Sequence, residues 1–153
     1  MYKNKLISSI AIPKRKERLP VLALVFIYYS MTYYIFRNWN TTLLNLLQPY
    51  LSFLFAGLIL LLLLAFITLK WKISIHAASI AGLTGGMTAI TLVAQPITNL
   101  QQLFLVNTFL LIFIGMVSFS RMYLKAHSAT QILAGISLGF SLVFSLVFNQ
   151  FYI

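Results

Sequence analysis

Uninterrupted apolar runs, each long enough to cross a bilayer, recur from residue 20 to the end of the chain and constrain its fold more than any other feature. Only 8% of the residues are charged, against roughly a quarter in soluble domains. A backbone surrounded by lipid must pair its own polar groups, which leaves helices or a closed barrel. Because the runs are continuous rather than alternating, we expect an all-α integral membrane bundle.

The breaks between the runs predict about five transmembrane helices, in a single domain at 20–153 that follows a basic amino-terminal arm at 1–19. The expected spans are 20–36, 43–69, 74–94, 103–119 and 128–151. The third span has small residues at every fourth position, at Ala77, Ala81, Gly85 and Ala89, and beside them at Ala78, Gly82 and Gly86. Since small residues let helix backbones approach closely, this span is expected to be the central helix.

The cations lie almost entirely on one side of such a bundle. The net charge is +10, from eleven Lys and Arg against one acid, Glu17. With five spans, the arm and the connections at 70–73 and 120–127 share a face with ten of the eleven cations, and only Arg37 lies opposite. Cations between apolar spans favour phospholipid headgroups or phosphate substrates over nucleic acid. A single carboxylate argues against an oxygen-ligand metal site, so we expect neither a metal nor a cofactor.

The two histidines of the chain, His76 and His127, are predicted on this same face. His76 follows Ser74 at the start of the third span, and His127 follows Ser120 and Arg121 before the fifth. Imidazoles beside cations and hydroxyls at a membrane surface indicate chemistry on the phosphate of a lipid. Either histidine alone would more often be a structural hydrogen bonder, so the inference depends on their shared face.

The segment before the fifth span carries a specific motif. It reads Ser120-Arg121, five residues, His127, three residues, Gln131. This spacing resembles the S-R-x5-H-x3-D signature of the type-2 phosphatidic acid phosphatase superfamily of membrane lipid phosphatases. The glutamine in place of the aspartate resembles a divergent bacterial branch of that family.

Two further segments resemble the same family in part. Ser74 and His76 match two positions of its P-S-G-H segment, and Arg18-Leu19-Pro20, preceded by Lys14 and Lys16, resembles its K-x6-R-P segment. The resemblance implies a helix bundle that carries the three segments on one face. The family has six spans, and this chain would lack the first, either as a natural short form or because its start is incomplete.

The resemblance also implies a role for each residue. His127 would be the nucleophile that attacks phosphorus. His76 would be the general acid that protonates the leaving oxygen and then the base that activates water, and the unperturbed imidazole pKa of about 6.5 suits both of these His76 roles. Gln131 would accept the second ring N–H of His127, but it cannot stabilise an imidazolium as a carboxylate does, which predicts slower turnover. The implied phosphate ligands are Arg121, Arg18, one of Lys14 and Lys16, Ser74 and Ser120.

The expected function is that of a metal-independent lipid phosphatase, which hydrolyses a phosphomonoester or pyrophosphate through a phosphohistidine intermediate. A catalytically inactive bundle that binds anionic lipid or a membrane partner is the alternative, and a small subunit of a larger membrane complex is a third. A bacterial inner membrane is the expected location. The basic face favours a cytoplasmic site by the positive-inside rule, whereas the resemblance favours a site that faces away from the cytoplasm.

Overall fold

The computed structural model describes residues 18–38, 44–93 and 99–150, and these residues form five α-helices. The helices are α1 (Arg18–Arg37), α2 (Leu44–Lys70), α3 (Ile75–Val93), α4 (Leu100–Tyr123) and α5 (Ala129–Phe148). Each of them is long and apolar enough to span a membrane. The prediction of an all-α fold with five helices that could span a membrane is therefore confirmed for the described residues. Residues 1–17 of the predicted arm lie outside them.

The fourth helix is longer at both ends than the apolar run at 103–119 predicted. At its start, the side chain of Asn99 accepts the N–H of Gln101 at 3.1 Å and caps the helix. At its end, helical hydrogen bonding continues through the polar pair Ser120-Arg121, and Leu124 N–H still donates to Ser120 O at 3.0 Å. The apolar run shows which residues can lie in hydrocarbon, whereas the helix extends as far as its backbone hydrogen bonds continue. The limits of the apolar run and of the helix therefore differ.

The central position predicted for the third span is confirmed. Its small residues are buried, namely Ala77, Ala78, Ala81, Gly82, Gly85, Gly86 and Ala89. Helix α3 packs most extensively on α5 and also contacts α4, while α2 joins α1 to the rest of the bundle. Helices α4 and α5 follow one another in the chain but barely touch, because each packs separately on α3.

The backbones of α3 and α5 are in direct contact, and glycines make that contact possible. A Cβ atom on Gly139 would overlap the carbonyl group of Ala78. A Cβ on Gly85 would lie 2.5 Å from the carbonyl oxygen of Phe140, and one on Gly135 would lie 2.7 Å from that of Ser74. Since backbone atoms cannot rotate away as side chains do, these glycines fix the separation of the two helices.

Helix α4 is peripheral, and a polar contact attaches it to α3. None of its most apolar 18-residue stretch is buried. The Asn107 amide donates to Thr91 Oγ1 at 2.9 Å, and Thr88 Oγ1 lies 3.1 Å from the Asn107 amide oxygen. Amide and hydroxyl side chains commonly bond apolar helices to one another in this way.

Candidate functional site

The α2–α3 and α4–α5 connections meet at one end of the bundle. The Ser74 N–H donates to the main-chain oxygen of Gln131 at 3.2 Å, although 57 positions separate the two residues in the sequence. The glycine contact between Gly135 and Ser74 lies one turn further along α5. The structure therefore brings the Ser74–His76 segment beside the segment that contains His127 and Gln131.

The turn that ends α4 determines where His127 lies. Ala126 N–H donates to Arg121 O at 3.0 Å and Lys125 N–H to Met122 O at 2.9 Å, which is the hydrogen-bond pattern of a Schellman motif. Lys125 has φ of 50°, in the left-handed region that such a motif requires and that glycine usually fills. His127 follows directly, so this turn sets the direction in which its ring leaves the backbone.

The left-handed residue gives a stability prediction. Lys125→Gly should raise the free energy of unfolding by about 1 kcal/mol, because glycine adopts positive φ without steric cost. Lys125→Ala removes the same charge but keeps the Cβ, and should give no such gain. Thermal unfolding of both variants in detergent measures the difference, and equal melting temperatures for the two would contradict it.

A capping box starts α5 and orients Gln131. Ser128 Oγ accepts the N–H of Gln131 at 3.4 Å, and the Gln131 side-chain oxygen accepts the N–H of Ser128 at 3.3 Å. The box holds the Gln131 amide with its oxygen turned back toward the preceding turn. It also uses two of the N–H groups that the first turn of the helix could otherwise offer to an anion.

One ring nitrogen of His127, Nδ1, is within hydrogen-bond distance of two oxygen acceptors. Nδ1 is 3.1 Å from the Gln131 amide oxygen and 3.3 Å from the main-chain oxygen of Lys72. A carbonyl oxygen can only accept, so Nδ1 must carry the hydrogen. In the neutral ring, the lone pair is then on Nε2.

Ser74 and His76 lie at the start of α3 with different exposure. Ser74 is fully buried; its Oγ accepts the N–H of Ala77 at 3.4 Å and its main-chain oxygen accepts that of Ala78 at 3.0 Å. The predicted phosphate-binding hydroxyl therefore acts as a helix cap, and its contact with phosphate stays a prediction. His76 is exposed in the first turn of the helix.

The cations of the described residues lie at the same end of the bundle, apart from Arg37. Arg121 is half-buried in the last turn of α4, next to the exposed Ser120. Lys70 is the last residue of α2, and Lys72 lies two positions after it. Arg18 is the first residue of α1, but its side chain is outside the described part of the chain. Lys14 and Lys16, the other predicted phosphate ligands, also lie outside it.

Two contributors to the site were not predicted from the sequence. The capping role of Ser128 has a readable signal, since Ser-x-x-Gln before an apolar run is a capping-box pattern. The Lys72 carbonyl has none, because any residue supplies a carbonyl and only the fold determines which one reaches His127. It nevertheless joins the connection that precedes α3 to the side chain of His127.

No family model, curated protein or solved structure matches the chain. The described residues contain no group of three or more His, Cys, Asp or Glu side chains that could hold a metal ion. One end of an apolar bundle carries two histidines and several cations, and one of those histidines has a fixed tautomer.

Proposed function

We propose that this chain is a membrane lipid phosphatase that hydrolyses a phosphomonoester or pyrophosphate of a lipid through a phosphohistidine at His127. The observation that supports it most is the pair of oxygen acceptors at Nδ1, which leaves Nε2 as the nucleophilic atom. The five apolar helices are compatible with an integral membrane protein. The proposed location of the protein is a bacterial inner membrane.

In the first step, Nε2 of His127 attacks phosphorus and the bond from phosphorus to the lipid oxygen breaks. His76 donates a proton to that leaving oxygen, so the lipid departs as a neutral alcohol or as a monophosphate. Arg121 and the cations at this end of the bundle hold the phosphate oxygens. Phosphoryl transfer depends mainly on such positioning and charge stabilisation.

In the second step, the neutral His76 removes a proton from water as the water attacks the phosphohistidine. The bond from phosphorus to Nε2 breaks, inorganic phosphate leaves, and His127 regains its neutral form. Because His76 is exposed on the first turn of α3, it can meet both the leaving group and water.

The neutral partner of His127 sets the expected rate. The Gln131 oxygen fixes the tautomer, but it places no negative charge beside the ring as the positive charge develops. Gln131→Glu keeps the reach of the side chain and the capping box, and supplies a carboxylate. We expect phosphate release to increase by about tenfold, since one added opposite charge is worth on the order of 1–2 kcal/mol near a protein surface.

The same variant should change the pH dependence. A carboxylate stabilises the protonated imidazole, so the neutral nucleophile is formed only at higher pH, and the rising limb of the pH–rate profile should move upward. Gln131→Asp supplies the charge on a shorter side chain and should give a smaller gain. Gln131→Ala should lower the rate. If neither acidic variant exceeds the wild type, the missing charge does not limit turnover.

The phosphohistidine itself provides the direct test. With an aryl phosphate, whose leaving group needs little protonation, His76→Ala should accumulate a phosphoprotein that is labile to acid and stable to base. Its breakdown should be slow because the base for the second step is missing. Label on a residue other than His127, or no label while the wild type still releases phosphate, would overturn the proposed mechanism.

A non-catalytic bundle that binds anionic lipid is the second candidate. The neutral Gln131 favours it, since the charge that would assist a nucleophilic histidine is replaced by an amide. This candidate predicts retention on vesicles that contain phosphatidate and no phosphate release from any lipid of a panel. A wild-type protein that releases phosphate in the presence of chelator excludes it.

A further inference from the structure

A cavity of about 240 Å³ lies between α1, α2, α3 and α5, and none of the histidines and cations already described is among its lining residues. Its walls are mainly apolar; the polar side chains among the lining residues are those of Tyr29 and Ser79, and Gly57 and Gly82 also line it. Ser79 and Leu83 are exposed, so the cavity is open on one side, and most of the surface that it offers there is apolar. The lining therefore suits hydrocarbon.

One face of α3 leads from the proposed site into this cavity. Ser79 and Leu83 lie three and seven residues after His76, so the three residues share a face of the helix. All three side chains are exposed. Ser79 and Leu83 line the cavity. The cavity thus begins one turn, or about 5 Å, below His76.

The cavity is elongated along the helices. On α2 its lining runs from Leu64, six residues before the end of the helix at Lys70, down to Phe53. Eleven residues of helix correspond to about 16 Å, which is roughly half the hydrocarbon thickness of a bilayer. A cavity with this direction and length could hold an extended hydrocarbon chain of a lipid whose headgroup lies at the proposed site.

Glycine makes room along this space. A Cβ on Gly57 would lie 2.8 Å from the ring of Tyr29, and one on Gly82 would lie 3.0 Å from Leu60 and 3.2 Å from Val143. A larger residue at either position would displace these neighbouring side chains and change the width of the cavity. The dimensions of the cavity therefore depend on specific residues of four helices.

We propose that this cavity holds one hydrocarbon chain of the phosphorylated lipid while its phosphate lies at His76 and His127. The inference rests on the proposed function, because it takes the headgroup position from that site. A chain that leaves the bilayer for an apolar cavity gains little hydrophobic free energy, since lipid is as apolar as the walls. The cavity acts instead by shape: it fixes the chain, and through the chain the distance from phosphorus to Nε2.

The kinetic test compares long and short substrates. Leu83→Trp fills the upper part of the cavity, and should lower kcat/KM for a long-chain lipid phosphate by about tenfold or more. It should leave the rate on a water-soluble short-chain phosphate unchanged. Leu111→Trp makes the same substitution on the exposed face of α4, and should alter neither rate. Equal losses for the two variants, or an equal loss on both substrates, would overturn the proposal.

A binding test is independent of turnover. A non-hydrolysable lipid phosphonate with a photoreactive group in mid-chain should label the α1 and α3 peptides that contain Tyr29 and Leu83, and Leu83→Trp should remove that label. Diacyl and polyprenyl probes used in parallel identify which chain enters. Label in the cavity without phosphate release would sustain the chain site and refute the phosphatase. Label confined to α4, with normal release, would refute the chain site alone.

Discussion

Replacement of His127 by alanine should lower phosphate release by about a thousandfold or more, the usual cost of removing a nucleophile. The alanine removes the Nε2 atom that would attack phosphorus. It also removes the two Nδ1 contacts, but the hydrogen bond from Ser74 to Gln131 and the capping box at Ser128 do not involve the ring. The fold should therefore survive the change. Purified wild type and variant, assayed on a lipid panel in one detergent with chelator, give the ratio.

The controls separate chemistry from electrostatics and folding. Arg37→Ala removes a cation from the opposite end of α1, and should keep the wild-type rate. Arg121→Ala removes one from the site end and should lower the rate, by less than the loss of the nucleophile. Release at the wild-type rate by a folded His127→Ala protein would refute the nucleophile assignment. An inactive wild type would instead favour the lipid-binding candidate.

The fold was predictable because its signals are local. Apolar runs between polar connections fixed the number of helices, and the small residues from Ala77 to Ala89 identified the central one. The limits of α4 were not predictable in the same way, since the helix continues through Ser120 and Arg121 after the apolar residues end. A cap or a turn ends a helix, and the positive φ at Lys125 is visible only in the structure.

The site was predictable only in part. The motif spacing predicted that His127 and Gln131 lie together at the start of one helix. The assignment of connections to the two faces of a five-span bundle predicted that His76 lies at the same end. The tautomer of His127 was expected to depend on Gln131 alone, whereas the structure adds the Lys72 carbonyl as a second acceptor. That contact arises from how α2 ends and how α3 approaches α5, which no local pattern encodes.

The same packing of α3 on α5 gives the second large prediction. Gly139→Ala should lower the free energy of unfolding by about 1–3 kcal/mol or more, because the added methyl would overlap the carbonyl group of Ala78. A carbonyl within a helix cannot turn aside without breaking its own hydrogen bond, so the two helices must separate. Thermal unfolding in detergent, compared with the wild type, measures the loss.

Gly115 provides a matched control for this substitution. It lies within α4, and a Cβ there would meet nothing within 4 Å. Gly115→Ala should therefore raise the stability by up to about 1 kcal/mol, the difference in helix propensity between the two residues. If the same Gly→Ala change lowers the stability at Gly139 and raises it at Gly115, the loss at Gly139 comes from the contact between helices. Equal stability of Gly139→Ala and the wild type would contradict the close approach of α3 and α5.

The two large predictions are linked through the glycines of α5. Gly135 lies against Ser74, and the main-chain oxygen of Gln131 accepts the Ser74 N–H, so the separation of α3 and α5 also positions Lys72 against His127. Gly139→Ala should thus lower phosphate release even at temperatures where the protein stays folded. Gly115→Ala should not. A variant that loses stability but keeps full activity when folded would show that the tautomer of His127 does not depend on this helix contact.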